Sequence, residues 1–144
     1  MFYFNQELVM KKVFLLSLSF VCLAFQCGVK KSDCKNMACT QVFVSVGVEV
    51  LLNHTQDIGS YSSISLLEST GEVLHTQQGS DLTFGNTFVV ADDSHIGRLG
   101  FNSSHKVIFQ LIKADSIVAE ESFVVGFDCC HIQKLSGVER IDVN

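Results

Sequence analysis

The 144-residue chain has no proline and no tryptophan, only two tyrosines, and just 17% charged residues. Without proline there is no collagen-like repeat, and 47% hydrophobic residues are more than a disordered chain carries. Basic residues are scarce in the body of the chain. From Gly28 onward eight Lys and Arg stand against fourteen Asp and Glu, a formal charge of −6. No basic stripe is left to neutralise phosphates, so no nucleic-acid partner is expected, and the scattered acidic residues read as a solvated surface. There is no Cys-x-x-Cys with which a redox enzyme lowers a thiol pKa at a helix start. The Gly-x-Ser-x-Gly elbow of a serine hydrolase is missing too, and the five histidines read as loop residues without a shared task. Asp92-Asp93-Ser94-His95 lacks the oxygen-rich spacing of a calcium loop and reads as a turn that ends a strand. No internal repeat, low-complexity tract or apolar run of about 20 residues is present.

What is there begins with an address. Met10-Lys11-Lys12 followed by the apolar run Val13–Phe25 has the basic start and short hydrophobic stretch of an export signal. The expected division is a signal peptide over 1–26, a tether and N-terminal segment over 27–39, and a folded domain over 40–144. Glu7 ahead of the lysines is unusual for such a signal and points to Met10 as the true start. Leu23-Ala24-Phe25-Gln26-Cys27 resembles the lipobox of bacterial lipoproteins, although Phe25 and Gln26 stand where small residues are usual. On that resemblance Cys27 would be the lipidated first residue and Gly28–Asp33 its polar tether. Ordinary cleavage after Ala24 is the alternative and would release a soluble secreted protein. Two or more acyl chains on Cys27 would anchor the protein firmly to a membrane without a spanning helix.

The body reads as strands. In Thr40–Leu52 every even position from Val42 to Val50 is valine, the period-two alternation of a half-buried strand. Ile64–Leu67 and Val73–His75 flank a glycine-bearing turn at Gly71, and Thr87–Ala91 forms another short strand. Lys106–Lys113 is apolar at both parities, as expected of a central strand buried on both faces. Ile117–Phe127 alternates again, with Ile117, Ala119, Phe123, Val125 and Phe127 facing the core. Cys129 inherits that parity and Cys130 the opposite one. Arg140–Val143 is the last candidate, and no convincing helix follows the signal. Gly47 marks a bulge or a close approach within its strand, while Leu99 and Phe101 are assigned to the core. About seven short strands separated by polar turns predict an all-β, antiparallel two-sheet sandwich.

Four cysteines remain in the exported body if Cys27 is acylated: Cys34, Cys39, Cys129 and Cys130. An even number fits two disulfides in an oxidising compartment. Adjacent residues on a strand point to opposite faces, so Cys129 and Cys130 are expected to bond to Cys34 and Cys39 rather than to each other. The order of pairing stays open, and one bridge with two free thiols is an alternative. A zinc site from these cysteines and His131 has suitable ligand types but lacks the spacing of a tight knuckle. His131 itself is expected to face solvent at a strand end. Asn53-His54-Thr55 and Asn102-Ser103-Ser104 are glycosylation sequons, without meaning in a bacterial protein.

Cys39-Thr40-Gln41-Val42-Phe43, Phe88-Val89-Val90-Ala91-Asp92-Asp93 and above all Phe123–His131 with Ser136-Gly137 beyond resemble small cell-envelope lipoproteins of Bacteroidota-type bacteria. The resemblance runs from about Cys34 to Val143. It implies an envelope location and an Ig-like or prealbumin-like sandwich, and no activity, because such proteins are generally uncharacterised. The hairpin at Gly71 is also similar to carboxypeptidase regulatory-like modules. The expected function is a lipid-anchored, non-catalytic binding or accessory module with an envelope protein or glycan as partner, with no catalytic residue, metal or cofactor. The alternative is a small metal-binding or hydrolytic enzyme using Cys129, Cys130 and His131.

Overall fold

The computed structural model describes Cys34 and residues 36–53, 56–82 and 85–143. Cys27, the apolar run, the whole expected tether Gly28–Asp33 and His54 lie outside the described residues. Among them are eight strands: β1 (Ser45–Leu52), β2 (Tyr61–Leu67), β3 (Val73–Gln78), β4 (Thr87–Asp92), β5 (Ser103–Lys113), β6 (Ser116–Phe127), β7 (Ile132–Ser136) and β8 (Arg140–Val143). Among the described residues one α-helical turn, α1 (Ile96–Leu99), lies between β4 and β5, and three short 3-10 turns, Ile58–Ser60, Gly79–Asp81 and Asp93–His95, lie between strands. The strands make two sheets, β4-β1-β8 and β3-β2-β5-β6-β7, packed as the expected sandwich. All described pairs are antiparallel except the first strand with the last, β1 with β8, which is parallel.

Alternation explains which faces meet. Val46, Val48 and Val50 of β1 are buried and oppose Val107, Phe109 and Leu111 of β5 and Phe123, Val125 and Phe127 of β6. Phe109 sits edge-on to both Phe88 and Phe123, with ring centroids 6.4 and 6.2 Å apart. Each such side chain contributes roughly 1.5–3 kcal/mol by leaving water. The core therefore lies where the aromatic stripe of the larger sheet meets the valine stripe of the smaller.

Register irregularities account for the departures from simple parity. Val46 pairs with Ala91 and Gly47 with Val89, so Val90 is an extra residue on β4, and both Val90 and Ala91 are buried. Gly47 is also a close approach, since a Cβ there would lie 2.7 Å from Thr87 Cγ2. On β6, Leu111 pairs with Ala119 and Ile112 with Ile117, so Val118 is the extra residue. That bulge turns Ile117 away from the core, where the sequence placed it, and leaves it 55% exposed.

Other expectations are corrected in detail. The first strand starts at Ser45 rather than Thr40, because the Val44 N–H is taken by a side chain, Asp93 Oδ2 at 2.8 Å. Val42 and Phe43 consequently stand exposed at 65% and 66%. β5 is central as expected, but only one of its faces is fully buried; Ile108 and Ile112 are half-buried. Phe101 is 53% exposed rather than core, and Leu99 alone packs on the core. The unforeseen strand is β7, whose Gln133, Leu135 and Ser136 face solvent and mask its one buried anchor, Ile132.

Candidate functional site

The best-defined constellation of functional side chains is the corner beyond β6. β6 stops at Phe127 because Asp128 folds the next residues around its own carboxylate. Asp128 Oδ1 accepts from the N–H of Cys130 at 2.6 Å and of His131 at 2.8 Å, and Oδ2 accepts from Gln133 Nε2 at 2.8 Å. The Asp128 N–H in turn donates to the His131 carbonyl at 3.1 Å, closing the turn. Those N–H groups, His131's first and Cys130's next, hold the Asp128 carboxyl below its ordinary pKa against the opposing effect of burial.

The turn presents its two sulfurs to the segment that precedes β1. Cys129 is buried and bonds to Cys34; Cys130 is half-buried and bonds to Cys39, and each pair has its Cα atoms 5.3 Å apart. This decides the pairing that the sequence left open: first with third, second with fourth. Asn102 Nδ2 lies 3.2 Å from Cys34 Sγ, so the loop before β5 also touches the clamp. With all four cysteines oxidised, no thiolate is available at this corner for metal ligation or nucleophilic attack.

A second hub is Asp93, at the end of β4. Its carboxylate takes three donors from three segments: the Val44 N–H, the Ile132 N–H at 2.7 Å and His131 Nδ1 at 2.8 Å. Burial pushes this carboxyl up, but His131 and the two backbone N–H groups outweigh it and leave the pKa below the ordinary value. His131 Nε2 faces Thr40 Oγ1 at 2.8 Å. In the neutral ring with its proton on Nδ1, Nδ1–H donates to Asp93 and Nε2 accepts from the Thr40 hydroxyl. A hydroxyl, an imidazole and a carboxylate thus stand in line. His131 is not the solvent-facing strand end that the sequence implied, because both ring nitrogens are engaged.

Two further histidines share a task that sequence reading missed. His95 is 6% exposed; Nε2 reaches the Leu74 carbonyl at 2.8 Å and Nδ1 accepts from the Asp92 N–H at 3.2 Å. It ties the turn after β4 to β3, and Asp92 caps that turn through the Ser94 N–H at 2.9 Å. His75 stands 4.0 Å from Asp92 Oδ2. Burial lowers the pKa of His75, more than Asp92 raises it, and neighbouring His95 lowers it further. The reading of Asp92–His95 as a strand-ending turn agrees with this geometry.

The four cysteines and His131 come together as one corner, and Thr40 and Asp93 join them. Spacing gave no signal for those two, which lie 91 and 38 residues from His131. Among the described residues, no group of three or more His, Cys, Asp or Glu side chains is arranged to hold a metal ion. No described helix is long and apolar enough to cross a membrane. No family model matches the chain, and no characterised protein or solved structure shows significant similarity to it. Two disulfides are the chemistry of a protein that works outside the reducing cytoplasm.

Proposed function

We propose that the protein is a non-catalytic binding or accessory module of the bacterial cell envelope, held to a membrane through a lipidated Cys27. The observation that carries this reading is the double clamp at the corner. Both disulfides, the Asp93 hub and the Thr40–His131 contact fasten the segment leading from Cys27 onto the sandwich. A domain pulled by an N-terminal anchor needs its first residues fixed to its body, and this corner fixes them at both Cys34 and Cys39. Its partner is an envelope protein or glycan, and the resemblance of Phe123–His131 to Bacteroidota-type envelope lipoproteins supports the same address.

Intact mass of the protein from its own host, before and after reduction, tests this. The expected result is a chain starting at Cys27, carrying acyl chains and gaining four hydrogens on reduction. A chain that begins after Ala24 without acyl chains would refute the anchor, leaving the secreted alternative.

A second reading rests on the line Thr40–His131–Asp93, which has the order of a nucleophile, base and orienting acid. In it Thr40 Oγ1 would attack an ester carbonyl while its proton passes to His131 Nε2. The acyl group would stay on Thr40 until water removes it, and the alcohol would leave with the proton. Hydrolysis of p-nitrophenyl acetate that Thr40→Val and His131→Gln both abolish would favour this reading, and equal background rates in all three proteins would end it.

A further inference from the structure

β1 is paired along only part of one edge. Its β4 side is filled from Ser45 to Glu49, but on the other side β8 begins only at Glu49, opposite Arg140. Beside Ser45–Val48 no described strand is paired on that side. Alternation says which backbone groups face the gap. The Glu49 N–H donates towards β8, to Glu139 O at 3.0 Å, whereas Val44 and Val50 bond on the β4 side. The extra residue of the bulge lies on β4, so β1 itself alternates without interruption, and the N–H and C=O groups of Ser45 and Gly47 point into the gap.

The gap is a shaped groove of about 250 Å³, lined by Val44 to Gly47 on one side and by Ile132, Lys134 and Glu139 on the other. Its floor is apolar, from buried Val46 and Ile132. Lys134 Nζ and Glu139 Oε1 are an ion pair, which leaves the rim without net charge. Upstream of β1, Val42 and Phe43 are exposed apolar residues.

We propose that this groove binds an extended peptide segment of a partner protein, which adds to the smaller sheet beside β1 in line with β8. Donors and acceptors repeating every second residue demand a ligand with the same repeat, which is a peptide backbone rather than a sugar or a small molecule. The neutral rim and apolar floor select an uncharged segment with an apolar side chain opposite Val46. This inference rests on the binding-module reading and names its partner class and its site.

The test is selection of a random linear heptapeptide library on the mature, oxidised protein. Synthetic peptides from the selection are then measured against wild type, Ser45→Ala and Ser45→Pro. Ser45 is exposed and its N–H faces the gap, so proline there removes a donor without breaking a hydrogen bond among the described residues, and an open edge accepts proline. Ser45→Ala keeps that donor. The expected result is binding by wild type and Ser45→Ala, and a loss of about ten-fold or more in Ser45→Pro at an unchanged urea midpoint. Amide exchange should be fast at Ser45 and Gly47 in the free protein and slowed by the peptide.

Peptides that bind Ser45→Pro as tightly as wild type would place the site elsewhere and overturn the inference, while leaving the binding-module reading intact. No selected peptide, or slow exchange at Ser45 and Gly47 in the free protein, would also overturn it. In the latter case sedimentation would tell whether a second copy or the chain itself covers the edge.

Discussion

Replacing Cys39 and Cys130 together by alanine leaves Cys34–Cys129 to close the chain alone. The two bridges span 95 and 91 residues, so either one by itself removes about 4.7 kcal/mol of chain entropy from the unfolded state. Once one is formed, the second closes only the short circuit from Cys34 to Cys39 and back through Cys129 and Cys130, a loop of about six residues worth about 2 kcal/mol. Loss of either bridge is therefore expected to cost about 2 kcal/mol and loss of both about 7, well beyond the sum of the single losses. The assay is urea unfolding of the oxidised wild type, the two Cys-pair double mutants and the quadruple mutant. With a slope of about 1–3 kcal/mol per molar, each double mutant should lower the midpoint by about 1 M. The quadruple mutant should be at or near the edge of folding, since domains of this size hold only about 5–15 kcal/mol. Losses that simply add, or about 5 kcal/mol from either bridge alone, would refute the reasoning, because they would mean that the two links do not share one loop.

Acid is expected to destabilise the protein through two routes. Asp93 and Asp128 have pKa values held below the ordinary 3.8, so their contribution is complete above that pH and is lost as the pH falls through their lowered values; Asp93→Asn should flatten this limb of the unfolding curve. His75 is held below 6.5, so the unfolded chain takes up its proton first and stability falls as the pH drops below that value; His75→Gln should remove this component between pH 7.5 and 5 in urea midpoints. Ser65 is fully buried and its hydroxyl has no hydrogen-bond partner among the described residues, so Ser65→Ala should raise stability by about 1 kcal/mol in thermal unfolding. Gly79→Ala should cost about 3 kcal/mol by the same measurement, because its Cβ would meet the Ile58 carbonyl oxygen, a backbone atom that cannot turn aside.

Several elements were legible because a local rule and the tertiary need agreed. The valines from 46 to 50 and the run Phe123-Val125-Phe127 announce a strand by period two, and packing buries those same residues. Where the backbone slips by one residue the rule fails, as it does for Ile117, since a bulge at Val118 is set by the partner strand and leaves no mark in composition. β7 went unseen because an edge strand needs only one buried anchor, and its remainder, polar but for the exposed Leu135, resembles a loop. The sequence bounded the disulfides to two links between opposite ends of the body, since adjacent cysteines face opposite ways. Their order depends on where the segment before β1 crosses the corner.

By itself, then, the order of residues determined the class of fold, the net acidic charge and the meeting of Cys34 and Cys39 with Cys129 and Cys130, because periodicity, charge and cysteine number are local or additive properties. Only the tertiary structure decided that Asp93 and Thr40 would meet His131, that His75 and His95 would share Asp92, and that β8 would start too late to cover Ser45 and Gly47. Each of those depends on which segments lie side by side after the chain has closed. Hydrogen bonds reaching across 38 to 91 residues are fixed by the packing of two sheets rather than by spacing along one strand.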